Sequence, residues 1–335
     1  MNIENPFNHK MAAHCETGTV TSQLNNGGLD ITEAMVFGIS SGIFFGYFTG
    51  KQFTFPHFIV RNQPGKIREN MAKRINVKWN TSTFRDEQKG MDALDALIAK
   101  NIVVATQVDF FYLDYIPDYL RVHINVHFMN VVGKKDGNYL ISDSYFPKIM
   151  ELPEESLRRG RFAGGSFSPK GFMYYPVSIP TQVDFEPAIR KGIQKACKNM
   201  LKLPVPFIGI KGMRKFAKHI VEWPKFAMDT EHLSHEISKI NILLEDQGTG
   251  GAGFRFMYAT FLRQAAEIVK EPRLLDLSKK MMEIGDGWRE ISLKSARMGK
   301  NRDLGPEKLA ELQQMIYGRA DVEELFFKEL AQTVK

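Results

Sequence analysis

Cys15 is the residue of this 335-residue chain best placed for covalent chemistry. A cysteine attacks through its thiolate, which an adjacent base, a helix N-terminus and partial exposure all favour. Cys15 stands just before a predicted helix, Glu16 to Asn26, that stops at Gly27-Gly28. The helix dipole therefore favours an anion on its sulfur. The other cysteine, Cys197, falls on the apolar side of an amphipathic helix, where free cysteines commonly serve as core. The base must come from elsewhere in the chain. Among eight histidines, His127 has the most telling context, opening the run HFMNVVGKKDGNYLISD that ends at Asp143. A histidine begins one strand, Asp136-Gly137 turns it, and an aspartate closes the return strand. Asp143 can then hold one ring nitrogen of His127 and leave the other for the thiol. His123 competes for the base, because it would share a strand face with His127. His14 adjoins Cys15 and is expected either to tune the thiol or to lie on the surface.

The elements that must position these side chains change character near residue 150. Strand-like runs dominate before it and helical periodicity after it. Residues 1–150 and 151–335 are accordingly expected as two domains, the first α+β and the second mainly helical. In the first, a helix is predicted over Asp86 to Lys100, a strand over Ile102 to Val108, and a hairpin from Val122 to Ser142 turned at Lys134 to Gly137. Ala34 to Tyr47 is the most apolar stretch, with Gly38, Gly42 and Gly46 at every fourth position. It is shorter than the roughly 20 residues a membrane helix needs, so a buried, closely packed segment is expected. In the second half, helices are predicted from Pro187 to about Leu203 and over 210–222, 230–246, 254–270, 273–297, 306–317 and 320–333.

Two cysteines exclude a disulfide scaffold. The polar run from Met1 to Cys15 shows no secretory leader, so a cytoplasmic protein is expected. The net charge of +7 is concentrated in one segment: Arg190 to Lys225 holds ten Lys or Arg and one acid, Glu222. Lys191, Lys195, Lys198 and Lys202 form a stripe on the predicted helix. It is read either as a solvated face or as a dock for an acidic partner, and no nucleic-acid motif accompanies it. Gly248 to Gly253 resembles a phosphate-cradling loop but lacks the Gly-Lys-Ser/Thr ending, so a tight packed loop is preferred. Glu231, His232, His235 and Glu236 do not make a metal-binding pattern, and no metal is expected.

The His127 to Asp143 run resembles the hairpin of papain-like peptidases of the bacteriocin-processing, C39 type. A fuller resemblance is to the butirosin biosynthesis protein H family. It rests on the His14-Cys15 pair, Thr32-Glu33 through Gly46, the run Asp109-Phe-Phe-Tyr112-Leu113, and the His-hairpin-Asp. The second half, with GTGGAGFRFMYATFL from Gly248 and Trp288 in GDGWREIS, resembles the helical DUF4872-type domain that accompanies it. One departure stands out: papain-like enzymes place a Gln upstream of the cysteine for the oxyanion hole, and here Asn8 and His9 occupy that region. The backbone N–H of Cys15 is the one donor assignable.

The resemblance implies a papain-like catalytic domain and transfer of an acyl group from an acyl carrier protein thioester to an amine or hydroxyl. In the founding member the acceptor is an aminoglycoside amine. It implies the roles Cys15 nucleophile, His127 base and Asp143 orienter, with His14, Glu33, Asp109, Tyr112 and Arg255 near the site or substrate. It also implies that the lysine stripe docks an acidic carrier. No bound cofactor is expected; phosphopantetheine arrives as part of the substrate. A groove between the domains is expected to hold acyl chain and acceptor. Two rival readings use the same residues: a cysteine peptidase or amidase, and a non-catalytic carrier-binding scaffold.

Overall fold

The computed structural model describes residues 7–50 and 53–334. In chain order the elements are α1 (Cys15–Asn26), α2 (Glu33–Ile39), β1 (Ile43–Phe48), β2 (His57–Arg61), α3 (Lys66–Ile75), β3 (Lys78–Ser82), α4 (Glu87–Ile98) and β4 (Val104–Val108). Then follow β5 (His127–Lys135), β6 (Asn138–Ser142), β7 (Met150–Pro153), α5 (Glu154–Arg161) and β8 (Met173–Ser178). The rest is helical: α6 (Phe185–Leu201), α7 (Gly209–Ile220), α8 (Thr230–Asn241), α9 (Arg255–Ile268), α10 (Arg273–Asn301) and α11 (Pro306–Thr333). This is an α+β chain with a mainly helical C-terminal part, as expected.

The chain forms two compact units that interleave, rather than dividing at residue 150. The first joins the residues up to Val36 with Met71–Val183; the second joins Phe37–Asn70 with Asp184 onward. The reason is pairing. β8 lies beyond residue 150 but inserts between β3 and β4 in a six-stranded antiparallel sheet of order β3-β8-β4-β5-β6-β7. The first unit is incomplete without it.

In that unit Val104, Val108, Met129, Val131, Tyr139 and Ile141 make one sheet face and pack with Met91 and Leu94 of α4 and Leu157 of α5. α1 packs on β5, with Asn130 Nδ2 donating to Thr19 O at 3.3 Å. The β5–β6 register follows from the turn: Asp136 and Gly137 both have positive φ, 49° and 82°. Two consecutive left-handed residues match the twist of the flanking strands. The predicted strand from Val122 begins only at His127, and residues 122–126 remain outside it.

The second unit buries the apolar segment as two elements, the end of α2 and β1. Gly38 is required there: a Cβ would lie 2.0 Å from the Phe261 ring. In β1, Phe45 stacks on Phe58 and on Trp288, at 5.7 and 6.0 Å between centroids. The helices expected at 306–317 and 320–333 are one, α11, because Leu312, Ile316, Ala320, Glu323, Phe327 and Leu330 continue one buried stripe past Gly318. The core holds a fully buried ion pair. Arg255 Nε and Nη2 donate to the two oxygens of Glu323, at 3.0 and 3.2 Å, and Trp288 Nε1 donates to the same carboxylate. Removing one partner strands the other charge in a dry core, which costs about 3–5 kcal/mol. Glu323→Ala is therefore expected to lose that much stability in urea unfolding. A loss under about 1 kcal/mol would mean that the guanidinium finds water instead.

Candidate active site

Cys15 is the first residue of α1, so its sulfur sits at the positive end of the helix. α1 is sequestered despite a polar sequence: nine of its residues, among them Thr17, Thr19, Val20 and Gln23, are buried. Gly18 lets the helix approach the end of β6, since a Cβ would fall 2.6 Å from Ala12 Cβ and 2.9 Å from Ser144 Cβ. The Ala12 N–H donates to Ser144 O at 3.0 Å and ties the two segments together.

The sheet brings the other residues to that point. His127 opens β5 opposite Val108, and Asn130 pairs with Ser142, so Asp143 comes just past the last rung beside His127. His127 Nε2 lies 2.7 Å from Asp143 Oδ2. The remaining nitrogen, Nδ1, is left for Cys15, whose thiol is near enough to help hold the imidazole's proton. The sulfur also lies 3.9 Å from Val126 O. Cys15 is 6% exposed, His127 4% and Asp143 0%. A cysteine thus opens a helix beside a histidine that begins a strand and an aspartate that follows the next one.

Burial alone would push the His127 imidazole toward its neutral form. The charge and hydrogen bond of Asp143, with a smaller contribution from Cys15, outweigh this and raise its pKa to about 10. Burial likewise opposes the Asp143 carboxylate, but His127, the Tyr145 N–H and the Tyr115 hydroxyl hold its pKa below the ordinary value. Tyr115 donates to Asp143 Oδ2 at 2.9 Å and Tyr145 N to Oδ1 at 3.1 Å. Tyr115 escaped the sequence reading, because it lies in an irregular segment where no periodicity marks it.

Other expected residues take different roles. His14 is buried rather than on the surface; its Nδ1 accepts the Thr17 N–H at 3.3 Å and caps α1. Glu33 accepts the N–H groups of Ala13 and His14, both at 2.9 Å, and the Thr17 hydroxyl at 2.7 Å. Asp109 and Tyr112 do not join the triad. Asp109 accepts from His123 Nδ1 at 2.7 Å and from the Ile124 and Phe111 N–H groups, fixing the loop after β4. His123, the rival base, is thereby committed to that loop and stacks on Phe111 at 4.1 Å. Tyr112 lies edge-on to Phe111 and under the Arg159 guanidinium. Arg255 cannot touch a ligand here: it is fully buried in the other unit and spent on Glu323. The phosphate alternative for the Gly248 loop also fails, since Glu245 Oε1 already accepts the Ala252 N–H at 3.1 Å. His9 is no oxyanion donor: Ser142 Oγ donates to its Nδ1 at 2.7 Å and its Nε2 donates to Phe146 O at 2.8 Å. Cys197 is core as expected, and burial pushes its thiol up to about 12.

Lys191, Lys195 and Lys198 on α6, and Lys202 directly after it, are all exposed, and none takes part in an ion pair among the described residues. Arg214 is different, being held by Asp321 and Glu324 at 2.8 and 2.5 Å. Among the described residues no cluster of three metal-ligating side chains occurs, and no helix is long and apolar enough to cross a membrane.

The His127–Asp143 pair has a pH signature. A raised histidine pKa contributes stability that is complete below 6.5 and lost as pH rises to about 10. The lowered Asp143 pKa contributes stability present above 3.8 and lost as pH falls below it. The stability difference between the protein and its Asp143→Asn variant should be largest between those limits and shrink steadily from pH 6.5 to 10. A difference constant over that range in urea titrations would rule out an imidazolium paired with the carboxylate.

Comparison with known proteins adds the family. A crystal structure of a putative C39-like peptidase from Bacillus anthracis aligns over 52% of this chain and 95% of its own, at 10% identity and a TM-score of 0.35. No curated protein matches the sequence. The model of a domain of unknown function, DUF4872, matches residues 155–330. With the N-terminal domain of butirosin biosynthesis protein H matched over residues 14–144, the chain belongs to the butirosin biosynthesis protein H family.

Proposed function

We propose that this protein is a cysteine acyltransferase that carries an acyl group from the phosphopantetheine thioester of an acyl carrier protein, through Cys15, to an amine or hydroxyl. The observation that carries the reading is the buried imidazole of His127, held by Asp143 at 2.7 Å and influenced by the Cys15 thiol at the start of α1. The Cys15 thiolate attacks the thioester carbonyl. The tetrahedral intermediate expels the pantetheine sulfur, which takes the proton from the His127 imidazolium. The acceptor then attacks the acyl-Cys15 carbonyl, and neutral His127 takes the acceptor's proton. Collapse releases the amide or ester and restores the thiolate beside an imidazolium. Exchanging one thioester for another is nearly isoenergetic, so the first half needs no nucleotide. General-base help in the second is worth about 10²–10⁴ in rate.

Burial favours a slender donor. A cysteine only 6% exposed is reached more readily by a carbonyl at the tip of a linear arm than by one within a folded polypeptide. Incubation with acyl-carrier thioesters is expected to add one acyl mass to the intact protein and none to Cys15→Ala. A full adduct on that variant would remove Cys15 from the mechanism.

The carrier's dock is the α6 stripe in this reading. Four exposed lysines without acidic partners suit an acidic protein, and such a patch acts mainly on encounter rate and orientation. Reversing Lys195 and Lys198 to Glu should weaken carrier binding by about tenfold at low salt and flatten its salt dependence. Acylation by a small soluble thioester should stay unchanged. Equal loss with both donors would place the dock elsewhere.

A further inference from the structure

Four N–H groups at the start of a helix have no partner within it, and their fate decides what the helix can bind. Around Cys15 most of them are claimed. The Thr17 N–H donates to His14 Nδ1 at 3.3 Å, and the helix's own ladder begins with the Gly18 N–H on His14 O at 2.8 Å. The two N–H groups just before the helix, of Ala13 and His14, both end on Glu33. The Cys15 N–H is left without a partner among the described residues, directly beside the nucleophilic sulfur. The residue six positions upstream, His9, is committed elsewhere through both ring nitrogens.

We infer that Glu33 is the positioning residue of the oxyanion hole: by gripping the Ala13 and His14 amides it fixes the two peptide units that lead into the one carrying the Cys15 N–H, and so aims that N–H at the acyl oxygen. The inference rests on the acyl-transfer reading and adds a residue to it. Two carboxylate oxygens take three donors, Ala13 N on Oε2 and His14 N with Thr17 Oγ1 on Oε1. A bidentate grip of this kind sets direction as well as distance. It comes from the first residue of α2, outside the nucleophile helix, so the aim does not depend on side chains of α1 alone. Only the charged form can accept all three bonds. Burial works against that form and raises the Glu33 pKa, while those same three bonds oppose the rise.

Two reactions of one sulfur separate this role from a merely structural one. Acylation passes through an oxyanion; alkylation by iodoacetamide does not. Glu33→Gln would turn an amide N–H toward one of the backbone N–H groups and break the grip. Cys15 acylation by a thioester is expected to fall by about 10- to 100-fold, short of the roughly 10²–10³ that deleting an oxyanion donor costs. Alkylation should change less than about twofold, because the sulfur and His127 stay in place. A proportional fall in both reactions, or none in either, overturns the assignment. Should Glu33→Gln fail to fold, Thr17→Val removes one bond to the same carboxylate. A selective loss of a few fold in acylation then supports the role, and a parallel loss or no loss refutes it. A wild-type protein that alkylates at Cys15 but is never acylated by any thioester would sink the acyl-transfer reading itself, and this inference with it.

Discussion

The site depends on one buried electrostatic arrangement, an imidazole held between a carboxylate and a thiol where water is scarce. An isolated imidazolium that is 4% exposed would lose its proton, because burial penalises charge. Asp143 reverses this at 2.7 Å, and the penalty on its own charge is offset in turn by Tyr115 and the Tyr145 N–H. Each group needs the next, and that is why loop and strand converge there. Tyr115 comes from the irregular stretch between β4 and β5, Asp143 and Tyr145 from just beyond β6, and Cys15 from the start of α1. Anything that shifts the end of β6 relative to α1 uncouples sulfur from carboxylate. The close approach at Gly18 and the Ala12–Ser144 hydrogen bond fix that spacing.

A second constraint acts on the backbone. Glu33, His14 and His9 do not touch the imidazole, but together they tie down the chain on both sides of the nucleophile. His9 joins the segment before α1 to Ser142 and Phe146, on either side of Asp143. Glu33 joins the turn into α1 to the start of α2. The histidine six residues before the cysteine therefore serves as a clamp where papain-like enzymes keep an oxyanion-hole glutamine.

How much of this the sequence disclosed follows from the range of the forces involved. The convergence of Cys15, His127 and Asp143 was legible because its parts are local signals: a cysteine before a helix, and a hairpin whose Asp136-Gly137 turn sets the register that brings Asp143 to His127. Tyr115 was not legible, since a loop tyrosine carries no periodicity and Tyr112 looked equally apt. Arg255 misled for a related reason. A cation after a glycine-rich loop suggests a phosphate, yet its partner Glu323 lies 68 residues away in sequence, on α11. α1 hid its burial because threonines and a glutamine fill faces that hydrophobicity patterns assign to solvent. The interleaving of the units was equally invisible, because nothing local to β8 shows that it will pair between β3 and β4.

The two units also divide the physical labour. Catalytic geometry in the first is carried by hydrogen bonds to charged groups, which are directional and fail when a partner moves by an ångström or so. The second is organised by aromatic packing around Trp288 and by a buried ion pair, Arg255 with Glu323, whose own groups are fully engaged. Its unsaturated charge is on the outside, in the lysines of α6. A buried charge that is fully paired holds a fold together, whereas an exposed charge without a partner is available for recognition. On that criterion Arg255 belongs to architecture and Lys195 is open to the docking proposed for it, although as letters in a sequence both are candidates for binding the same substrate.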